Sequence, residues 1–216
     1  MAFDTSTLIS SELHDIKNQL QSLLSVQEDL SQALIAQPQF KPLLEKIDRH
    51  SQALSHKLVE LLSVLKIQNQ DFKLNEDEHW LMDTLSPIAR EFENLHELSF
   101  TLEFDNEFNA FYVEQLLAIA LHNVFMNAKQ AGAKQLNINI QEFKNGQWSI
   151  NIYDNGPGFK PEQLTNGEFV PQGTQGGLGL YLIQQSMMAH KRNGQSGNIS
   201  ITNGDHGGAH IQLKFP

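Results

Sequence analysis

The sequence predicts an α+β chain: an antiparallel helical hairpin, then helices on one face of a mixed sheet, an α/β sandwich. Three observations predict it. Apolar residues recur at steps of four and three through residues 1–70. From Asp71 onward the apolar positions shift toward alternation. Glycine-rich segments then fall where strands and helices meet.

The first stripe runs Ile9, Leu13, Ile16, Leu20, Leu23, Leu30 and Leu34, with Gln27 as its polar interruption. The second runs Leu44, Ile47, Leu54, Leu58, Leu61 and Leu65, with Ser51 in one slot. Such stripes are packing seams between long helices. Pro38 and Pro42 mark the connection, near Ala36 to Phe40. One hairpin with a narrow seam per helix makes a poor core by itself. Pairing two copies into a four-helix bundle buries both seams, so a homodimer is expected. The competing arrangement packs the hairpin on its own second domain.

The second part, 71–216, reads as follows. Glu76 to Asn94 has the spacing of an amphipathic helix. Ser99 to Phe104 alternates like a strand, and Tyr112 to Ala131 is a long apolar helix. Leu136, Ile138 and Ile140 alternate with asparagines. Trp148, Ile150 and Ile152 alternate with Ser149 and Asn151, and Asn145-Gly146 turns between the two runs. Gly179 to His190 is helical again. Ile199 to Thr202 and Ala209 to Phe215 alternate on either side of Gly207-Gly208. Phe159 to Gln175, rich in Gly, Pro, Gln and Thr, is a long loop of the kind that covers or forms a binding site.

Composition narrows the functions. The chain carries 25 acidic and 15 basic residues, a formal charge of −10, which argues against a nucleic-acid or anionic-membrane binder. The absence of cysteine excludes thiol catalysis and disulfides. No run approaches the roughly 20 apolar residues that span a bilayer, and no signal peptide is visible, so a cytoplasmic protein without a membrane anchor is expected.

Three groups carry chemistry. Asn123 and Asn127 lie one helical turn apart among Leu117, Ala120, Val124 and Ala128, with Gln130 extending their face. Amides on an apolar face are costly unless paired, and an amide oxygen suits Mg²⁺ held jointly with phosphates. The plainer reading is polar residues facing solvent near a helix end. Asp154-Asn155-Gly156-Pro157-Gly158 follows a strand. There a carboxylate can accept from an exocyclic amine, and glycines let backbone approach a ligand. The plainer reading is an ordinary turn. Gly176-Gly177-Leu178-Gly179-Leu180 precedes a helix, whose free N–H groups favour an anion; otherwise it is a hinge.

Taken together and in this order, the three groups resemble the ATPase domains shared by histidine kinases, DNA gyrase, heat-shock protein 90 and MutL, the GHKL or Bergerat type. Asn123-x-x-x-Asn127 is similar to the N box. Asp154-x-Gly156-x-Gly158 is similar to the first glycine box, and Gly177-Leu178-Gly179-Leu180 to the second. The resemblance spans about Asn75 to Pro216. It implies ATP and Mg²⁺ as ligands, with Asn127 on the metal and Asn123 supporting the phosphates. It further implies Asp154 on the adenine amine, Gly156 and Gly158 shaping the adenine pocket, and Gly177 and Gly179 bringing amides to the phosphates. Phe159 to Gln175 would be the lid.

On the first helix, His14-Asp15-Ile16-Lys17-Asn18 places His14 and Asn18 off the seam, one turn apart. An imidazole there can act as a nucleophile with a neighbouring carboxylate taking its other proton, or can simply be one of nine histidines. His-Asp-x-x-Asn ahead of such an ATPase domain resembles a sensor histidine kinase core. The resemblance implies that His14 accepts the γ-phosphoryl group, Asp15 is the general base and Asn18 positions water for dephosphorylation. Partners would be a second copy, a response-regulator receiver domain and a separate sensor protein. Two other readings share these features: a histidine phosphotransfer protein with a degenerate ATPase-like domain, and a response-regulator phosphatase.

Overall fold

The computed structural model describes residues 76–165 and 178–216, apart from 145, 205 and 206, together with isolated positions between 18 and 51. Contacts divide the chain into two units, Met1–Phe72 and Lys73–Pro216. In the first, Pro38–Phe40 forms a 3-10 turn. The described positions on either side of it, 18 to 34 and 42 to 51, are helical. The antiparallel pairing expected of the two helices, and most of both seams, lie outside the described residues.

The second unit is built on a five-stranded sheet in the order β2-β4-β5-β9-β8. These strands are β2 (Ser99–Glu103), β4 (Gln135–Glu142), β5 (Trp148–Asp154), β8 (Asn198–Asn203) and β9 (Ala209–Phe215). β2 and β4 are parallel and every other neighbouring pair is antiparallel. Alternation decides the two faces. Leu102, Ile138, Ile152, Ile211 and Ile201 stand in register across all five strands, one apolar row from edge to edge. The adjoining row on the opposite face is Thr101, Asn137, Tyr153, His210 and Thr202.

Helices α1 (Leu81–His96), α2 (Glu114–Gln130) and α3 (Leu178–Ala189) share one core with the apolar face. Leu85 and Phe92, Leu117, Val124 and Phe125, and Ile183 and Met187 are their buried contributions. α2 ends at a Schellman turn. Gly132 adopts φ +92, its N–H bonds to Lys129 O at 3.0 Å, and Ala133 N–H reaches Ala128 O at 3.0 Å. That turn feeds the chain straight into β4.

Two local expectations change. The helix expected from Glu76 begins only at Leu81, because β1 (Asp77–Trp80) pairs antiparallel with β3 (Asn109–Tyr112). Tyr112 therefore closes a strand, and α2 starts two residues later at Glu114. The partner strand lies about 30 residues away, so a local window sees only the helical spacing that continues past it. A further turn, Asn193-Gly194 with φ 50 and 78, joins β6 (Lys191–Arg192) to β7 (Gln195–Ser196). Two positive φ values are the mark of a type I′ hairpin.

Candidate functional site

Asn123 lies buried along α2, and Asn127, half-buried, stands in its last turn. Asn123 is 5% exposed. Its Nδ2 donates to Ile119 O at 2.8 Å. Its Oδ1 and the Nδ2 of Asn127 are buried with no hydrogen-bond partner among the described residues. A buried polar atom left unpaired costs about 1–3 kcal/mol, and such groups in folded proteins call for an explanation. Two of them one turn apart fit an absent polar ligand. Gln130, on the same helix, is exposed.

Asp154 ends β5 and organises the adjoining turn. Its Oδ1 accepts from Gly156 N at 2.7 Å and from Ala209 N at 3.1 Å. Among the described residues Oδ2 accepts no such bond, so one carboxylate oxygen is fixed by backbone and the other is left for a ligand. Asn155 secures the next position: its Oδ1 accepts from Lys134 N at 2.8 Å and Gln135 N at 3.0 Å, tying the turn to the start of β4. Gly158, at φ +70, lies where a Cβ would be 2.7 Å from Asn203 Oδ1 and 2.9 Å from Gly208 O. Only glycine fits both that dihedral and that space.

These residues line a common cavity of about 190 Å³. Asn127 and Ala128 of α2 and Ala131 just past its end form one wall, with Asp154, Gly158 and Phe159 from the turn; Leu180, Ala209 and Ile211 complete it. The cavity lies below the roughly 300 Å³ at which clefts hold drug-sized ligands, a size for one small ring system beside the Asp154 carboxylate. Ala128, Ala131 and Ala209 keep the walls thin. Asn123 does not line it but stands one turn behind Asn127. Gly179 lies buried in the first turn of α3. His14, Asp15 and Gly177 fall outside the described residues, as do residues 166–175 of the expected lid. Asn18 is helical and exposed.

A larger cavity, about 230 Å³, lies at the other end of β5, lined among others by Phe108, Phe111, Trp148 and Arg192. Six residues of strand, about 20 Å, separate Trp148 from Asp154. None of the motif residues lines this second cavity, and Arg192 already covers the Phe111 ring at 5.2 Å. The chemistry belongs with the smaller cavity.

Two buried groups elsewhere have shifted acidities. Burial pushes the Tyr112 hydroxyl up to about 12, and nearby Glu114 and Asp83 add to this against the Thr84 hydrogen bond. Burial lowers the His190 imidazole below its ordinary value, opposed by the carbonyls of Ser186 and Val113. Neither lines the motif cavity.

Sequence reading missed Asn155, Asn203 and Gly208 as parts of this site. Gly207-Gly208 was visible as the break between the last two runs, but its closeness to Asp154 depends on β9 pairing with β5.

Comparison with known proteins agrees with this geometry. Residues 112–216 match the family described as histidine kinase-, DNA gyrase B-, and HSP90-like ATPase. Comparison with curated protein sequences finds no match. Among solved structures, the Acinetobacter baumannii histidine kinase AdeS is similar over 91% of this chain and 96% of its own, with TM-score 0.60 and 20% identity. The ATP binding domain of PrrB from Mycobacterium tuberculosis is similar over 66% of this chain and 97% of its own, with TM-score 0.52 and 24% identity. Full-length ShkA, solved in complex with AMPPNP, covers 100% of this chain with TM-score 0.67 and 15% identity, the match spanning 46% of ShkA. At these identities the structures speak for the fold, and the family match speaks for the domain. Residues 112–216 therefore form a domain of the histidine kinase-, DNA gyrase B- and HSP90-like ATPase type, and the solved structures share its fold.

Proposed function

We propose that the chain is a protein-histidine kinase that binds ATP with Mg²⁺ in its second domain, 71–216, and transfers the γ-phosphoryl group to His14 in its first, 1–70. The observation that carries this reading is the cavity that joins Asp154 to Asn127. The Asp154 carboxylate, with Oδ1 held by two backbone N–H groups, lines this cavity, and so does Asn127, whose Nδ2 is buried without a partner among the described residues.

Each residue then has a task. Asp154 accepts a hydrogen bond from the adenine amine, while Gly156 and Gly158 let the turn close against the ring. Asn127 would hold Mg²⁺ through its amide oxygen, leaving Nδ2 to donate to a phosphate oxygen, with Asn123 behind it, and Gly177 and Gly179 would present backbone N–H groups to phosphate oxygens. Bound Mg²⁺ supplies charge neutralisation at the transferring phosphate. A ring nitrogen of His14 attacks the γ-phosphorus, the bond to the bridging oxygen breaks, and ADP leaves. Asp15 takes the ring proton. Asn18 holds water for the reverse task, hydrolysis of a partner's phospho-aspartate. The phosphoryl group passes onward to the aspartate of a response-regulator receiver domain, and the seam of the first unit pairs two copies. A separate sensor protein supplies the input.

The test is incubation with γ-labelled ATP and Mg²⁺, followed by detection of acid-labile phosphate on the protein. The reading expects label that disappears in His14→Ala. ATP binding without label would leave a regulatory or phosphatase module. Neither binding nor label would leave a phosphotransfer protein.

A further inference from the structure

We propose that Asn203 is a positioning residue for the nucleotide site, fixing the backbone of Phe159 and with it the Gly158–Phe159 wall of the cavity. The inference rests on reading that cavity as the adenine pocket.

Asn203 is the last residue of β8. Its Oδ1 accepts from Phe159 N at 2.7 Å and its Nδ2 donates to Phe159 O at 2.8 Å. Both backbone groups of one residue are thus taken by one side chain, as a neighbouring strand would take them. Phe159 needs that support because β5 has ended five residues earlier, at Asp154. Its ring packs against the core and lines the cavity.

The fit is specific to an asparagine. Aspartate of the same shape has no donor for Phe159 O and would oppose one oxygen to another. Serine offers one atom where two are needed, and glutamine is one methylene longer. The same Oδ1 lies 2.7 Å from where a Cβ on Gly158 would stand, too close for a side chain, so the clasp requires the glycine. The register extends the point to the carboxylate. Asn203 pairs with Ala209, whose N–H is held by Asp154. One pair of strand ends therefore sets both the acceptor at the edge of the slot and the wall beside it. Asn198, at the other end of β8, uses its Oδ1 on the N–H of the next residue, Ile199, and touches no part of the cavity.

The test uses the full chain with ADP as probe. Calorimetric titration of wild type, Asn203→Ala, Asn203→Asp and Asn198→Ala should give ADP affinities about tenfold weaker for both Asn203 variants and unchanged for Asn198→Ala. Amide hydrogen exchange, read by NMR without nucleotide, should find Phe159 N–H protected in wild type and fast in Asn203→Asp. The β8 and β9 amides should stay protected, which general unfolding would not allow. Unchanged ADP affinity in a folded Asn203→Asp overturns the inference. So does an unprotected Phe159 amide in wild type, a result that needs no variant to fold. If wild type binds no ADP at all, the adenine-pocket reading itself falls and takes the inference with it.

Discussion

Gly208 approaches Asp154 so closely that a Cβ on the glycine would lie 1.8 Å from the aspartate carbonyl oxygen. Gly208 also adopts φ +76, which a side chain disfavours. Space and dihedral therefore agree, and the contact sets where β9 begins relative to the end of β5. Gly208→Ala should cost roughly 2–3 kcal/mol of stability, and should displace Asp154 enough to abolish nucleotide binding. Urea unfolding with a parallel ADP titration checks both. Gly207→Ala is the comparison: a Cβ there meets nothing within 4 Å, and only its φ of +88 strains it.

Asn127→Ala should separate the two ends of the site. The apolar slot and Asp154 remain, so adenosine should bind as in wild type. The response of ATP affinity to Mg²⁺ should fall by at least about tenfold, the scale on which losing a metal-site partner acts. Titrations with adenosine, and with ATP at varied Mg²⁺, measure the split. Equal loss for adenosine and ATP would contradict the role assigned to Asn127.

His190 is 1% exposed, with Nδ1 against Ser186 O at 2.9 Å. Its folded-state pKa is lowered, chiefly by burial. The unfolded chain then binds the proton first as pH falls through about 6.5, so stability is full above that value and declines below it. Thermal melts from pH 8 to pH 5 should show this decline. In His190→Leu its slope should be shallower, with a lower melting temperature at pH 8 for the lost hydrogen bond.

Tyr112 works in the opposite direction. Its hydroxyl lies 2.9 Å from Thr84 Oγ1 and donates to Trp80 O at 3.3 Å, and the residue is 0% exposed. With the folded pKa raised to about 12, the unfolded chain ionises first above pH 10, and stability falls on the order of 2 kcal/mol as pH rises toward 12. Tyr112→Phe should cost about 1 kcal/mol at neutral pH and remove that alkaline loss. Denaturant midpoints at pH 8 and pH 11 compare the two.

How far the sequence could be read follows from the range of each signal. The core strands were legible because alternation is local: Ile138, Ile150, Ile152, Ile211 and Leu213 all point inward as their spacing requires. Asn123, Asn127, Asp154, Gly156 and Gly158 stood out because two short motifs occur in order, and Asn127, Asp154 and Gly158 line one cavity. β1 was not, since its only support is a ladder to β3 far along the chain. The clasp of Asn203 on Phe159 was not, since 44 residues separate them. Asparagine after a strand and before glycine reads locally as a turn, and nothing short-range says that its amide reaches the far side of the site.

The most direct measurement of the central claim is a calorimetric titration of the full chain with ATP and Mg²⁺, beside Asp154→Ala. Tight, one-site binding in wild type that vanishes in a folded Asp154→Ala is the predicted result. No binding in wild type, or undiminished binding without the Asp154 carboxylate, would contradict it.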